Sequence, residues 1–366
     1  SEILAGGHLP EELKNWMEEL LAKEKESAKS KTKSAVPDDK VQVDKIQSGI
    51  SAAIKKTKKM GHKVVSVTSD LAGSTGVAGF KKEFPNEVWD VGVAEANMVS
   101  VATGFAKSGY IPVVDTFAQF GVTKGALPLI MSSLSQAPII AVFSHTGFQD
   151  AADGASHQAL CYLSMTASIP NVDVYCLSCA DEAESLLFQA IEHLSQSHQQ
   201  NKVAKSQIFF LGRENFPKKY KDGVNYQLGH SQIMFDNSAR FSQSVAIVAG
   251  GSMLPDGLRA ADILQSQNMG AIVINPSVIN HPDIETIAKA LQRTKGLLIT
   301  VEDHQLIGGM GAIISHALSL AGVSFKIQSL GVKEQFGQSA YNACELYAHH
   351  KMDCSAIVAA AKRWMV

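Results

Sequence analysis

The sequence predicts two consecutive three-layer α/β domains, the first built on a parallel sheet and the second on a mostly parallel one. Three observations carry this. Short apolar runs alternate with stretches of helical periodicity. The alternation stops at a polar segment near Lys218 to Gly223 and then restarts. The chain has 366 residues, 45% of them hydrophobic, enough for two cores.

Residues 1–45 differ from the rest. Glu11 to Lys25 reads as a charged helix with Leu13, Trp16, Met17, Leu20 and Leu21 at helical spacing. A Lys/Ser-rich run follows, with few apolar residues, and reads as an exposed linker. The first domain is expected over residues 46–225. Lys63 to Thr68, Val88 to Val93, Ile111 to Thr116, Pro138 to Phe143, Val172 to Cys176 and Gln207 to Leu211 read as buried strands. Ala94 to Lys107 and Ala180 to His193 read as helices between them. Such alternation argues for a parallel sheet covered on both faces.

The second domain is expected over residues 226–366. Its strands are Val245 to Val248, Gly270 to Ile274, Gly296 to Val301 and Phe325 to Ser329. Its helices are Leu254 to Gln265, Ile284 to Leu291, Gly311 to Ala321 and Cys354 to Arg363.

Composition excludes some classes of function. A net charge of −2 gives no bulk attraction to nucleic acid or to a membrane surface. The longest apolar runs, such as Ala137 to Phe143, are too short to span a bilayer. Five cysteines, an odd number without a secretory leader, point to a reducing cytoplasm. Cys176 and Cys179 form a C-x-x-C; a redox reading needs the pair at a helix start beside a strand and a metal reading needs a second pair, and the pair is read as structural thiols.

Five segments could carry chemistry, each just past a predicted strand. Ligands of open α/β sheets bind at the carboxyl ends of strands. Val93 to Met98 places Glu95 at a helix start, where a carboxylate can be buried against a heterocycle; the macrodipole alone also favours an acid there. Asp115 to Phe120 offers Phe117 and Phe120 to a planar ring, or simply to the core. Ser144 to Gly147, with Asp153 to Gln158, puts His145, His157 and Asp153 on one Gly-bearing loop that could bind a polyol and move protons, or be an ordinary polar loop. Asp70 to Thr75, with Leu71 and Ser74, suits contact with a phosphate or hydroxyl. Arg213 follows the last strand and is either a phosphate clamp or a surface ion-pair partner.

Together these segments resemble the transketolase family over roughly residues 41–366. Its A-E-Q-N-M signature is similar to Ala94–Met98, and its T-F-x-x-F to Thr116, Phe117 and Phe120. Its S-H, then D-G and H-Q, match Ser144, His145, Asp153, Gly154, His157 and Gln158. Its S-A-D-L-x-x-S-N resembles Ser69 to Ser74, and R-x-N-x-P matches Arg213, Asn215 and Pro217. Val301-Glu302-Asp303-His304 with Gly308 to Gly311 resembles the family's C-terminal domain.

The resemblance implies a thiamine diphosphate-binding fold and transfer of a two-carbon ketol unit between sugar phosphates. It implies that Glu95 hydrogen-bonds the cofactor's pyrimidine ring, leaving the hard chemistry to the cofactor. Phe117, Phe120 and Leu71 would flank that ring. His145, Asp153 and His157 would contact the sugar, and Ser74, His145 and Arg213 its phosphate. His145 and His157, with Glu95, are the implied catalytic groups.

Family members also carry a domain with a G-D-G motif that binds the diphosphate and its Mg2+ or Ca2+; these residues carry no such motif and are expected to bind no metal. Gly7-His8-Leu9-Pro10 resembles the family's interdomain linker, which implies either a fragment or a split-gene subunit. The isolated chain is therefore expected to be inactive and to associate as a homodimer, with a diphosphate-binding domain or subunit, or both. Gly49 stands where the family's K-I-A-S-R-K has a phosphate-binding Arg, a loss worth about 1–3 kcal/mol. Two other functions compete: a 1-deoxyxylulose-5-phosphate synthase, whose family has Arg, not Ser-His, at the positions of Ser144 and His145, and a non-catalytic regulatory or scaffold subunit.

Overall fold

The structure is a computed structural model that describes Gln42 to Met365, together with Glu11, Lys14, Asn15 and Glu18 in a helix. The apolar stripe Leu13, Trp16, Met17, Leu20 and Leu21, Gly7 to Pro10 and the Lys/Ser linker lie outside the described residues.

Six strands form the first sheet: β2 (Val64–Thr68), β3 (Val88–Asp90), β4 (Ile111–Phe117), β5 (Ile140–Ser144), β6 (Val172–Leu177) and β7 (Ser206–Leu211). Their order is β3-β2-β4-β5-β7-β6, and all neighbours are parallel. Successive residues point to opposite faces, and both faces are buried. Thus Val113 and Val142 face one core cluster while Val114, Ala141 and Phe143 face the other. The helices Ile46–Lys59 and Ala180–Gln199 pack together on one face; Glu95–Lys107 and Ala126–Leu134 pack together on the other.

The second sheet orders β13 (Lys326–Val332), β12 (Leu297–Gln305), β10 (Ser244–Ala249), β11 (Gly270–Asn275) and β9 (Gln232–Asp236). It is parallel except at β9, which runs antiparallel to β11 at the edge. The sequence reading missed β9 because its alternation is weak and only Met234 in it is buried. It also missed the small ladder of β1 (Val43–Lys45) with β8 (Asn215–Pro217), which makes the assigned end of the arm part of the folded unit.

The two sheets are joined more closely than two separate cores would require. One hydrophobic cluster runs from Val114 and Phe210 of the first sheet to Val248 and Ile274 of the second. The segment after β11 closes the open edge of β6: Val278 bridges Tyr175, Cys176 N–H donates to Ser277 O at 3.0 Å, and Ile279 N–H to Val174 O at 2.8 Å. Beneath it the buried Glu182 carboxylate accepts from Ser178, Asn275 and Ser277.

Candidate functional site

Chain connections leave β2 toward β3 and β4 toward β5, on opposite sides. The crevice between the carboxyl ends of β2 and β4 is therefore the switch point at which such sheets bind ligands. Two hydroxyls there, Ser69 Oγ and Thr116 Oγ1, are buried without a hydrogen-bond partner. Beside them Asp115 is fully buried and accepts from Thr68 at 2.9 Å, Thr75 at 2.5 Å and Ser66 at 3.3 Å. Burial pushes its carboxyl up to about 6, against the pull of those three hydroxyls. Asp115 thus ties β2, β4 and the short helix Ala72–Thr75 together.

Leu71 precedes that helix, and its carbonyl accepts from Ser74 N–H and Thr75 Oγ1. Ser74 is exposed, and none of the hydrogen bonds or ion pairs among the described residues joins it to His145 or Arg213. Asp70 adopts φ 62°, and its N–H donates to Asp90 at 3.1 Å. Glu95 opens the helix Glu95–Lys107 and is 6% exposed. The loop before it is open: Val93 is 80% exposed.

The aromatic pair and the two histidines come together. Phe117 ends β4 and Phe120 lies one turn on, with ring centroids 6.5 Å apart. His145 stacks on Phe117 at 3.9 Å, and His157 meets Phe120 edge-on at 5.2 Å. Both phenylalanines are half-buried. His145 holds φ 61°, an unusual conformation for a non-glycine residue that recurs at functional sites. Its Nδ1 lies 2.8 Å from Ser144 Oγ. Burial, then the Arg213 charge, hold its pKa down at about 3, so the imidazole is neutral at neutral pH. It can exchange hydrogen bonds with a hydroxyl or phosphate there, but not attract as a cation.

Arg213 closes the site from the loop after β7. Its guanidinium sits 2.7 Å from Asp150 and 3.6 Å from Asp153. Asp150 is buried, with Oδ2 unpartnered, and burial beside Asp153 pushes it up to about 6. Gln149 Oε1 accepts from the N–H groups of Arg213 and Glu214, fixing the Arg213 backbone. The sequence reading missed Gln149, Asp150 and Asp115, whose importance lies in contacts between distant segments. The C-x-x-C offered no alternative chemistry: Cys176 and Cys179 are free thiols, burial pushes both up to about 12, and each lies 3.6 Å from a tyrosine hydroxyl.

The second domain's Glu302-Asp303-His304 is wired as a brace. Glu302 accepts the N–H groups of Met310 and Gly311 at the start of the helix Met310–Leu320. Asp303 accepts from Phe148 N–H, Ser252 and Tyr347 at 2.9, 3.2 and 2.8 Å. His304 Nε2 accepts from Leu163 N–H at 3.1 Å.

Gly49 lies at a helix crossing. A Cβ there would overlap the Ala180 carbonyl and the Glu184 N–H, because the helix Ile46–Lys59 crosses Ala180–Gln199 at this point. The position is directed into a helix contact, and close packing there accounts for glycine.

Two surface grooves, of about 470 and 380 Å³, are lined respectively by Lys56, Phe188 and Tyr226 and by Asp70, Lys81 and Asp90. Neither is lined by Phe117, Phe120, His145 or His157. Among the described residues no group of three His, Cys, Asp or Glu is placed to hold a metal, and no helix is long and apolar enough to cross a membrane.

Residues 45–200 match the family model described as the transketolase pyrimidine-binding domain, and residues 238–357 that described as the transketolase C-terminal domain. The chain is 29% identical over 305 residues to a putative transketolase C-terminal section from Methanocaldococcus jannaschii, covering 82% of this chain and 89% of that one. It is 30% identical to human transketolase-like protein 2 over 81% of this chain, but spans only 47% of that relative's length. A 1-deoxy-D-xylulose-5-phosphate synthase from Halothermothrix orenii is 29% identical over 76% of this chain, which spans 42% of it. Among solved structures, a split gene transketolase described as an inactive beta4 tetramer aligns with TM-score 0.72 and 24% identity, over 87% of this chain and 97% of that one.

Proposed function

The chain belongs to the transketolase family, with that family's pyrimidine-binding and C-terminal domains in succession; from this premise we propose that it is the pyrimidine-binding half of a thiamine diphosphate-dependent ketol-transfer site acting on sugar phosphates. One observation carries the reading: Phe117, Phe120, His145 and His157 converge on one cluster beside the β2–β4 crevice. The residues fit the cofactor's pyrimidine. Ser69 and Thr116 leave buried hydroxyls free in the crevice, and Glu95 is a buried acid at the start of the helix that packs on β4 and β2.

When bound, the cofactor supplies a carbanion centre for cleaving and forming the carbon–carbon bond. This chain's part is to bind and orient. Glu95 hydrogen-bonds the pyrimidine ring. Phe117 and Phe120, with Leu71, flank it and exclude water. His157 and Asp153 hydrogen-bond the sugar hydroxyls. Arg213 attracts the phosphate, with neutral His145 as a hydrogen-bond partner. Ser74 joins them if the loop after β2 closes on the substrate.

The open cluster supports a half-site whose second wall comes from elsewhere, carrying the diphosphate and its Mg2+ or Ca2+. Leu127, Ile130, Met131 and Leu134 form an exposed apolar stripe on the helix packed against Glu95–Lys107. We assign this face to subunit association, including a second copy of the chain, in a cytoplasmic enzyme whose five thiols stay free. The Ser144–His145 pair supports ketol transfer over the synthase reaction.

The test is ketol transfer from a ketose phosphate to an aldose phosphate. It uses the chain purified from its source cells with whatever it binds, plus thiamine diphosphate and Mg2+. Activity that falls by roughly 100-fold or more in Glu95→Gln supports the reading, on the scale of a lost acid–base group. A folded Glu95→Gln with undiminished turnover sinks it. No transfer from any native assembly would favour a scaffold.

A further inference from the structure

We infer that the segment Gln335–Tyr341 of the C-terminal domain positions His157 and Asp153 for the reaction, through a contact between Gln158 and Gly337. The positioning role rests on the ketol-transfer reading, while the contact itself stands on geometry alone.

The loop from Asp150 to Gln158 carries both proposed sugar contacts. It is a run of turns closed by its own backbone bonds, Gly154 N–H to Asp150 O and His157 and Gln158 N–H to Gly154 O, and it is anchored to the rest of the fold at both ends. Arg213 holds one end through Asp150. The other end is held by the second domain. Gln158 is 3% exposed, and its Nε2 donates to Gln338 O at 3.0 Å and to Asp150 O at 3.3 Å. Its Oε1 is buried without a partner and lies against Gly337, where a built Cβ would overlap it. Ala340 N–H donates to Ala151 O at 2.9 Å. Gly154, at φ 79°, lies so close to Ser339 that a Cβ would overlap its hydroxyl.

Glycines at 154 and 337 therefore let two backbones approach where side chains would hold them apart. The segment is itself braced, since His350 Nε2 lies 3.3 Å from Gln338 Oε1 and its ring stacks on Phe148 at 4.7 Å. A methyl group at 337 would push the Gln158 amide from its two acceptors. The neighbouring His157 ring would then leave the edge of Phe120. Gln158 and Gly337 are positioning residues: neither reaches the proposed substrate site, but both fix a group that does.

The experiment reads the His157 ring protons by NMR in the full chain, without cofactor or partner. Their shifts carry the ring current of Phe120 and are assigned with His157→Gln. Gly337→Ala and Gln158→Ala are expected to move them toward the position they take in Phe120→Leu. The His62 resonances, held by Ser195 and Glu192, should stay in place. The double variant Gln158→Ala/Gly337→Ala should match Gln158→Ala alone, because the overlapping amide is gone. Native His157 shifts in both folded single variants overturn the inference. If Gly337→Ala does not fold, Gln158→Ala decides by the same criterion. Displaced His157 in a chain that never supports ketol transfer would sink the functional reading and leave the positioning contact standing. Undisplaced His157 in an active enzyme would do the reverse.

Discussion

Two clusters of acid and histidine stand at the carboxyl ends of central strands in this chain, and they are wired in opposite ways. In the second domain, both oxygens of Asp303 are engaged, Glu302 accepts two helix N–H groups, and His304 accepts a third. In the first domain, Asp150 leaves one oxygen unpartnered, Ser69 and Thr116 have free buried hydroxyls, and His145 sits at positive φ. A buried polar group without a partner loses its hydration and gains nothing in return. The saturated cluster therefore holds the fold, and the unsaturated one is the place where a ligand can supply what is missing.

The comparison breaks most readily at Asp303. Asp303→Ala leaves Phe148 N–H, Ser252 and Tyr347 without their acceptor, and we expect a loss of roughly 3 kcal/mol in urea unfolding, the scale of several unpaired buried groups. A loss below about 0.5 kcal/mol, the level of an ordinary surface change, would mean the brace is ornamental.

The next effect is at the helix crossing. Gly49→Ala is expected to cost about 1–3 kcal/mol, because the helices must part to admit a methyl group. Unchanged stability would return Gly49 to the role of a lost phosphate clamp.

Within each cluster the acids and the histidine respond to pH with opposite sign. Burial raises Asp303 to about 7 and Glu302 to about 8. Both bind more protons folded than unfolded, so their contribution is full below the ordinary carboxylate range and is lost as pH rises through those values. Burial lowers His145 to about 3 and His304 to about 4. Their contribution is full above the ordinary histidine value of 6.5 and is lost as pH falls toward those two values. Above the ordinary histidine value of 6.5 only the carboxyl loss remains, so the melting temperature should fall as pH rises through about 7 to about 8, and Glu302→Gln should flatten that limb. A native melting temperature that keeps climbing through about pH 8 would contradict this.

The smallest stability effect sharpens the contrast most. Ser69→Ala and Thr116→Val remove hydroxyls that bond to nothing, so stability should stay within about 0.5 kcal/mol. On the proposed function, affinity for thiamine diphosphate of the chain with its native partner should nonetheless weaken, as read by titration calorimetry. Hydroxyls whose removal destabilises the free chain by as much as Asp303→Ala would belong to the brace instead.

The strands of both parallel sheets were legible because residues buried on both faces give unbroken runs such as Val64 to Thr68 and Ser244 to Ala249. The edge elements were not. β9 exposes Ile233, and β1 and β8 have three residues each, too few for any period to register. Of the proposed site, Glu95, Phe117, His145 and Arg213 were legible as side chains placed just past strands. Gln149 and Asp150 were not, and Gln158 was legible only as part of a motif, since each acts through a residue at least 63 positions away or through a second domain.

The sequence by itself determined two α/β sheets, the family, and the loops on which its chemistry would stand. Those follow from local periodicity and from motifs that are contiguous in the chain. Only the tertiary structure decided that His145 is neutral, that Gly49 serves a helix crossing, and that the second domain grips the loop of His157. Each of those depends on burial and close approach between segments far apart in sequence, which no local pattern encodes.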